Sequence, residues 1–279
     1  MLKDLVKFRI TMAVAVSCAA GYVLASARFD FRLLETVLGT FVLACGSAAL
    51  NQMQDRHYDA RMQRTSKRPL PSGELSLRQG GIFTWVLCHA GALFLWARAG
   101  TTPFLIGMAT LLCYNVLYTY LKRVSSLAVI PGALVGALPP LIGWTAAGGE
   151  LLDARALTLA FFFFIWQIPH FWILVLMHNR DYAGAGYPTL KLIFSEAQIT
   201  RLTYSWLLGT VAAGCLFHLN GLTSSHFFAG LYLIISASML IFVARKLFQT
   251  PQQLMPAFQS VLFFLLAVSA MLIAEPFLG

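Results

Sequence analysis

Asn51, Asp55 and Asp59 stand four residues apart within "NQMQDRHYDARMQRTSKRP", directly after an uncharged apolar run. On a helix they share one face within about two turns, where their oxygens form a ladder able to share a cation. Two carboxylates and an amide are few ligands for an ion. They suit Mg²⁺, which keeps several waters and takes further oxygens from a bound diphosphate. Arg64, Lys67 and Arg68 follow, and such cations neutralise phosphate oxygens through charge-assisted hydrogen bonds. "YTYLKR" places Tyr118 and Lys122 one turn apart, and "NRDYAGAGYPTLK" supplies Arg180, Asp181 and Lys191, enough for a second cation and another phosphate contact. Taken singly, each is a solvated loop charge or a snorkelling side chain. Together they describe a diphosphate site in which Asp55, Asp59 and Asp181 carry the catalytic charge.

These groups must be positioned by helices in a bilayer. Of 279 residues, 58% are hydrophobic and only 11% charged, and the apolar runs recur along the whole length. That composition marks an integral membrane protein. Windows of about 20 residues give nine spans, at 10–27, 33–53, 80–99, 101–121, 125–147, 155–178, 201–221, 224–244 and 256–278. Continuous runs such as "LTLAFFFFIWQIPHFWILVLM" exclude the alternating pattern of a barrel, so the fold class is all-α, a polytopic bundle read as a single domain over 1–279. The first span lacks a cleavage-site pattern and reads as a span, not a removed signal. With the amino end cytoplasmic, only Arg28, Arg32, Arg98 and Arg155 fall on the opposite face, as the positive-inside rule requires.

The net charge of +9 is spread over membrane-flanking segments with no nucleic-acid motif, which excludes nucleic acid and leaves the lipid bilayer as the partner of most basic residues. The cysteines, Cys18, Cys45, Cys88, Cys113 and Cys215, all lie in spans and read as small apolar residues. Two longer cytoplasmic segments, about 54–79 and 179–200, each open on acidic residues. Pro139 and Pro140 are expected to kink or interrupt the fifth span, with Gly132, Gly136 and Gly143 permitting close approach and a cavity inside the bundle.

On "VKFRIT", "NQMQDRHYDARMQRTSKRPLPSG", "YTYLKR", "GALPPLIGW", "WQIPHFW" and "DYAGAGYP", the chain resembles the UbiA superfamily of intramembrane prenyltransferases, and within it the branch that farnesylates protohaem IX. The resemblance covers essentially the whole chain. It implies a nine-helix bundle with a central cavity opening toward the cytoplasmic loops, and Mg²⁺ as cofactor. Farnesyl diphosphate ionises and the farnesyl group passes to a vinyl group of haem B, a substrate; water captures the resulting cation and haem O results, for terminal oxidase assembly. It also implies a bacterial inner-membrane location, names haem A synthase or oxidase assembly proteins as candidate partners, and adds Arg9 of "VKFRIT" to the diphosphate ligands. Two departures stand out: position 185 is Ala where the wider superfamily often has a second carboxylate, and Ile168 replaces a proline common before "PHFW".

Neutral imidazole is a common axial ligand for haem iron. His170, beside Pro169, and His178, eight residues on and on roughly the same helix face, are therefore candidate haem contacts, with Trp166, Phe171 and Trp172 as an apolar wall. His57 is a further candidate to meet diphosphate. His89, His218 and His226 read as packed residues. The alternatives are a UbiA-type enzyme prenylating an aromatic quinone precursor, and a non-enzymatic transporter; the rim position of the acidic motif argues against the latter, whose polar groups belong near the midplane.

Overall fold

The computed structural model describes residues 1–248 and 254–278. A short helix α1 (Leu2–Leu5) precedes nine helices long and apolar enough to cross a membrane: α2 (Phe8–Ser26), α3 (Phe31–Asp59), α4 (Leu77–Ala99), α5 (Thr101–Leu121), α6 (Val129–Ala146), α7 (Ala154–Met177), then, after the short α8 (Asn179–Gly184), α9 (Glu196–Leu219), α10 (His226–Phe248) and α11 (Leu254–Leu278). All nine expected spans are present among the described residues, as befits a multi-pass integral membrane protein. Successive spans pack as neighbours and α11 returns to α2, closing a ring. The main core lies where α2, α6, α7, α9 and α11 meet, around Tyr22, Trp144, Phe162, Phe217 and Phe264. Ile10, Trp85, Leu105, Ile234 and Phe263 point outward, as lipid-facing side chains do.

Helix ends differ from the hydropathy windows for local reasons. Ser76 and Gln79, and again Ser195 and Gln198, form capping boxes that start α4 and α9 at Leu77 and Glu196, ahead of the apolar stretch. α3 runs on through the polar residues to Asp59. Its 29 residues make about 43 Å of helix at 1.5 Å per residue, well beyond the ~30 Å hydrocarbon core, so the acidic motif rides on an extension at the rim. Pro139 and Pro140 lie inside helix; the expected interruption falls upstream, at Ala133. The α2–α6 crossing is backbone-close: a Cβ on Gly143 would lie 1.9 Å from the Cys18 carbonyl oxygen.

Candidate active site

Asn51, Asp55 and Asp59 line one face of the last turns of α3, and all three are buried. Carboxylates at a helix C-terminus meet the negative end of the helix dipole, so this placement disfavours the helix and needs compensation. The neighbouring elements supply it. Lys122, just past α5, pairs with Asp55. Arg123 bonds the other Asp55 oxygen at 3.3 Å, and its Nη2 also donates to the Gln54 carbonyl at 2.8 Å. Arg68, from the segment after α3, donates to Asp59 Oδ2 at 2.8 Å. Lys7 Nζ donates to Asn51 Oδ1 at 2.6 Å and to the Tyr114 hydroxyl at 3.1 Å, while Asn51 Nδ2 donates to Thr119 Oγ1 at 2.8 Å. Burial first, then the positive Arg68, lower the Lys7 ammonium to about 8, against an opposing pull from Asp55 and Asp59; it stays mostly charged at neutral pH.

Tyrosines wall the cluster. Residues Cys113–Tyr118 of α5 form a π-helical turn, a local widening that recurs at functional sites, and Tyr114 and Tyr118 stack within it at 5.9 Å. Lys122 Nζ lies 5.5 Å from the Tyr118 ring centre and 5.8 Å from that of Tyr187. The Tyr118 ring occupies the space that a Cβ on Gly132 would fill, at 2.4 Å, so that glycine is what admits it. Tyr187 donates to Asp55 Oδ1 at 3.4 Å and packs on Tyr58 at 4.6 Å between ring centres; burial, then the Asp55 charge, raise its phenol and keep it protonated.

The second acidic segment adjoins the first through the loop. Asp181 Oδ2 accepts from the Arg64 backbone N–H at 3.3 Å, and the Arg64 side chain reaches the Tyr182 hydroxyl at 3.4 Å. A cleft of about 430 Å³ beside it is lined by Gln63, His178, Arg180, Asp181 and Lys191, among others. Ala185 is fully buried against Met62 and Tyr187, so that position has no room for another carboxylate. Among the described residues, no three His, Cys, Asp or Glu groups converge closely enough to hold a metal by themselves. Two carboxylates and an amide do fit an ion that completes its shell with diphosphate oxygens and water.

Residues 14–271 match the model described as the UbiA prenyltransferase family. The chain belongs to that family. It is a prenyltransferase. The chain is 43% identical over 188 residues to the protoheme IX farnesyltransferase of Geobacter sulfurreducens, covering 67% of this chain and 69% of that one. With the protoheme IX farnesyltransferase of Oleidesulfovibrio alaskensis it is 36% identical over 204 residues, 72% of each. The fold is that of UbiA homologues of known structure. One from Aeropyrum pernix K1 aligns with TM-score 0.78 at 19% identity, over 96% of this chain and 98% of the other. One from Archaeoglobus fulgidus, bound to GPP and Mg²⁺, aligns with TM-score 0.72 at 14% identity, over 99% and 98%.

Within this UbiA bundle, Asn51, Asp55, Asp59, Arg68, Tyr118 and Lys122 come together as the sequence suggests. Arg9 does not: it is exposed on α2 and shares no hydrogen bond or ion pair with the cluster, because Lys7, in the turn before the helix, takes the inward direction. Lys67 is exposed and without such a bond, Arg64 lies over Asp181, Arg180 lines the outer cleft, and Lys191 pairs with Glu196. His57, two residues past Asp55, is turned outward and exposed. Lys7, Arg123, Tyr114 and Tyr187 also line the cluster and are not among the candidates read from the sequence. Arg123 beside Lys122, and Tyr187 inside "DYAGAGYP", are the signals that point to two of them.

The candidate haem contacts His170 and His178 and the wall residue Trp172 do not converge. His170 is sandwiched between Trp166 and Phe258, at 4.8 and 4.4 Å between ring centres, with its Nδ1 buried and unpartnered. Trp172 faces away, buried in a separate cluster with Leu190 and Ile199 and set edge-on to Trp206 at 6.2 Å. α7 ends at Met177, so His178 is not on the His170 face; it lies on the cleft beside Asp181, its imidazole lowered by burial and by Arg64.

Proposed function

We propose that this chain transfers the farnesyl group of farnesyl diphosphate to a vinyl group of protohaem IX, with Mg²⁺ and with water capture, giving haem O. The observation that carries the diphosphate half is the convergence of Lys7, Arg68, Lys122 and Arg123 on Asn51, Asp55 and Asp59 at one helix end. That half is further supported by the archaeal homologue bound to GPP and Mg²⁺, and the acceptor half by the names of the relatives described above.

In this reading Asn51, Asp55 and Asp59 would hold the metal, which when bound would supply positive charge beside the leaving diphosphate. Lys122, Arg123, Arg68 and Lys7 bond its non-bridging oxygens, where negative charge grows as the allylic carbon–oxygen bond breaks and its electron pair leaves with the diphosphate. Asp181 would add a third carboxylate, from the second acidic segment at the rim. The vinyl π electrons then form the new carbon–carbon bond, and water adds to the resulting cation with loss of a proton. Trp166 and Phe258, apolar faces on either side of His170, shield this stage from premature water, and His170 orients the porphyrin. Residues 1–279 act as one domain in the bacterial inner membrane, amino end and site on the cytoplasmic side, in keeping with the distribution of Lys and Arg.

The test is product analysis with purified protein in lipid nanodiscs, Mg²⁺ and farnesyl diphosphate, offering haem B in one reaction and 4-hydroxybenzoate in another. Formation of haem O alone is expected. Prenylated benzoate with no haem product would give the enzyme an aromatic quinone precursor as acceptor.

A further inference from the structure

The helical path breaks between α1 and α2, and Lys7 sits in the turn at φ +50°, ψ +52°, a left-handed conformation that residues with a Cβ rarely adopt. In that conformation its ammonium reaches back between Asn51 and Tyr114 instead of following Arg9 outward. The turn is held from α3. Gln52, the neighbour of Asn51 and fully buried, donates from Nε2 to the backbone carbonyls of Asp4 at 2.5 Å and Leu5 at 3.0 Å. Leu5 is itself fully buried, packed with Ala49 and Leu70. Adjacent side chains of one helix therefore grip the two ends of the same hook: Gln52 the backbone before the turn, Asn51 the ammonium after it. The Gln52 Oε1 is buried without a partner, so the side chain serves here as a donor alone.

We propose that Gln52 is a positioning residue for prenyl diphosphate: by latching α1 it holds Lys7 in its left-handed turn, with the ammonium directed at the diphosphate. This rests on the reading of the Asn51–Asp55–Asp59 cluster as the diphosphate site. Gln52 touches no substrate, and its effect passes through Lys7.

A double-mutant cycle on the full chain in nanodiscs tests this, using Lys7→Met, Gln52→Met and both together. The readouts are the Kd of farnesyl thiodiphosphate, an analogue slow to ionise, with Mg²⁺, and the Kd of haem B. Each single variant is expected to weaken the analogue about tenfold, the low end of what a hydrogen bond to a charged group contributes, with haem binding unchanged. The double variant is expected to be no weaker than either single one. Gln52→Leu, which likewise has no donor, should match Gln52→Met and serves in its place if that variant does not fold. Losses that multiply in the double variant, an equal loss of haem binding in Gln52→Met, or parental affinity in Gln52→Leu would each overturn the proposal. A Lys7→Met protein with parental affinity would overturn the site reading as well.

Discussion

Replacing Asp55 with Asn keeps the side chain's size and removes one negative charge from between Lys122, Arg123 and Tyr187. At an effective dielectric constant of about 20, unit charges about 4 Å apart attract by roughly 4 kcal/mol. Lys122 and Arg123 are 19% and 20% exposed, so solvent screening reduces the share lost per pair to the order of 1 kcal/mol. Two opposite effects follow. The freed cations turn toward any anion, so binding of farnesyl thiodiphosphate in EDTA should tighten about tenfold, the equivalent of ~1.4 kcal/mol. Turnover with Mg²⁺ should fall by about 10²–10³, or ~2.7–4 kcal/mol, the scale of losing one group that stabilises developing charge. Titration of the analogue without metal, and haem O formation with saturating Mg²⁺, measure the two separately. Metal-free binding weakened by the substitution, or turnover within about fivefold of the parent, would refute the assignment of Asp55 to the metal and of its two cations to the diphosphate.

Lys122→Gln should raise the KM for farnesyl diphosphate about tenfold or more with haem KM unchanged, whereas Arg64→Gln, exposed and directed at Tyr182, should change it about threefold or less; steady-state kinetics varying each substrate decides. His170→Ala should lose the Soret shift on haem titration while still binding the farnesyl analogue with Mg²⁺, and an unchanged Soret titration would return the residue to packing. Gly143→Val places side-chain atoms where α2 backbone already stands and should lower stability by about 3 kcal/mol, read as a lower Tm in detergent; an unchanged Tm would contradict the close α2–α6 crossing.

Hydropathy finds nine spans because each must bury about 20 residues' worth of backbone in lipid, a requirement written in composition alone. The shared face of Asn51, Asp55 and Asp59 is legible for a similar reason, since it follows from helical periodicity. What escapes is whatever depends on a break in periodicity. α3 continues past its apolar window because Lys122, Arg123 and Arg68 neutralise its acidic end from elsewhere in the chain. Lys7 faces the site because one residue turns left-handed, and Arg9, the better-placed charge on a helical reading, faces out. His178 and His170 are a helical repeat apart only if α7 lasts one residue longer than it does. Trp172, two residues after His170, is carried to another face by the 100° helical step.

The sequence separations at Asp55 bear on how the protein is made. The carboxylate first appears 67 residues before Lys122 and 132 residues before Tyr187. At about 5–20 residues per second of synthesis, its partners arrive seconds to tens of seconds after it. Arg68 follows Asp59 by only nine residues, so throughout that interval it is Asp55 that stays unpaired beside a growing chain. On an extension of α3 outside the hydrocarbon it stays hydrated, at little cost; the same three residues at mid-bilayer would leave bare charge in lipid until later spans inserted. The rim position thus lets the early hydrophobic segments enter the membrane while the acidic end stays in water, and leaves the catalytic cluster to close once residues 114–123 and 187 have been made.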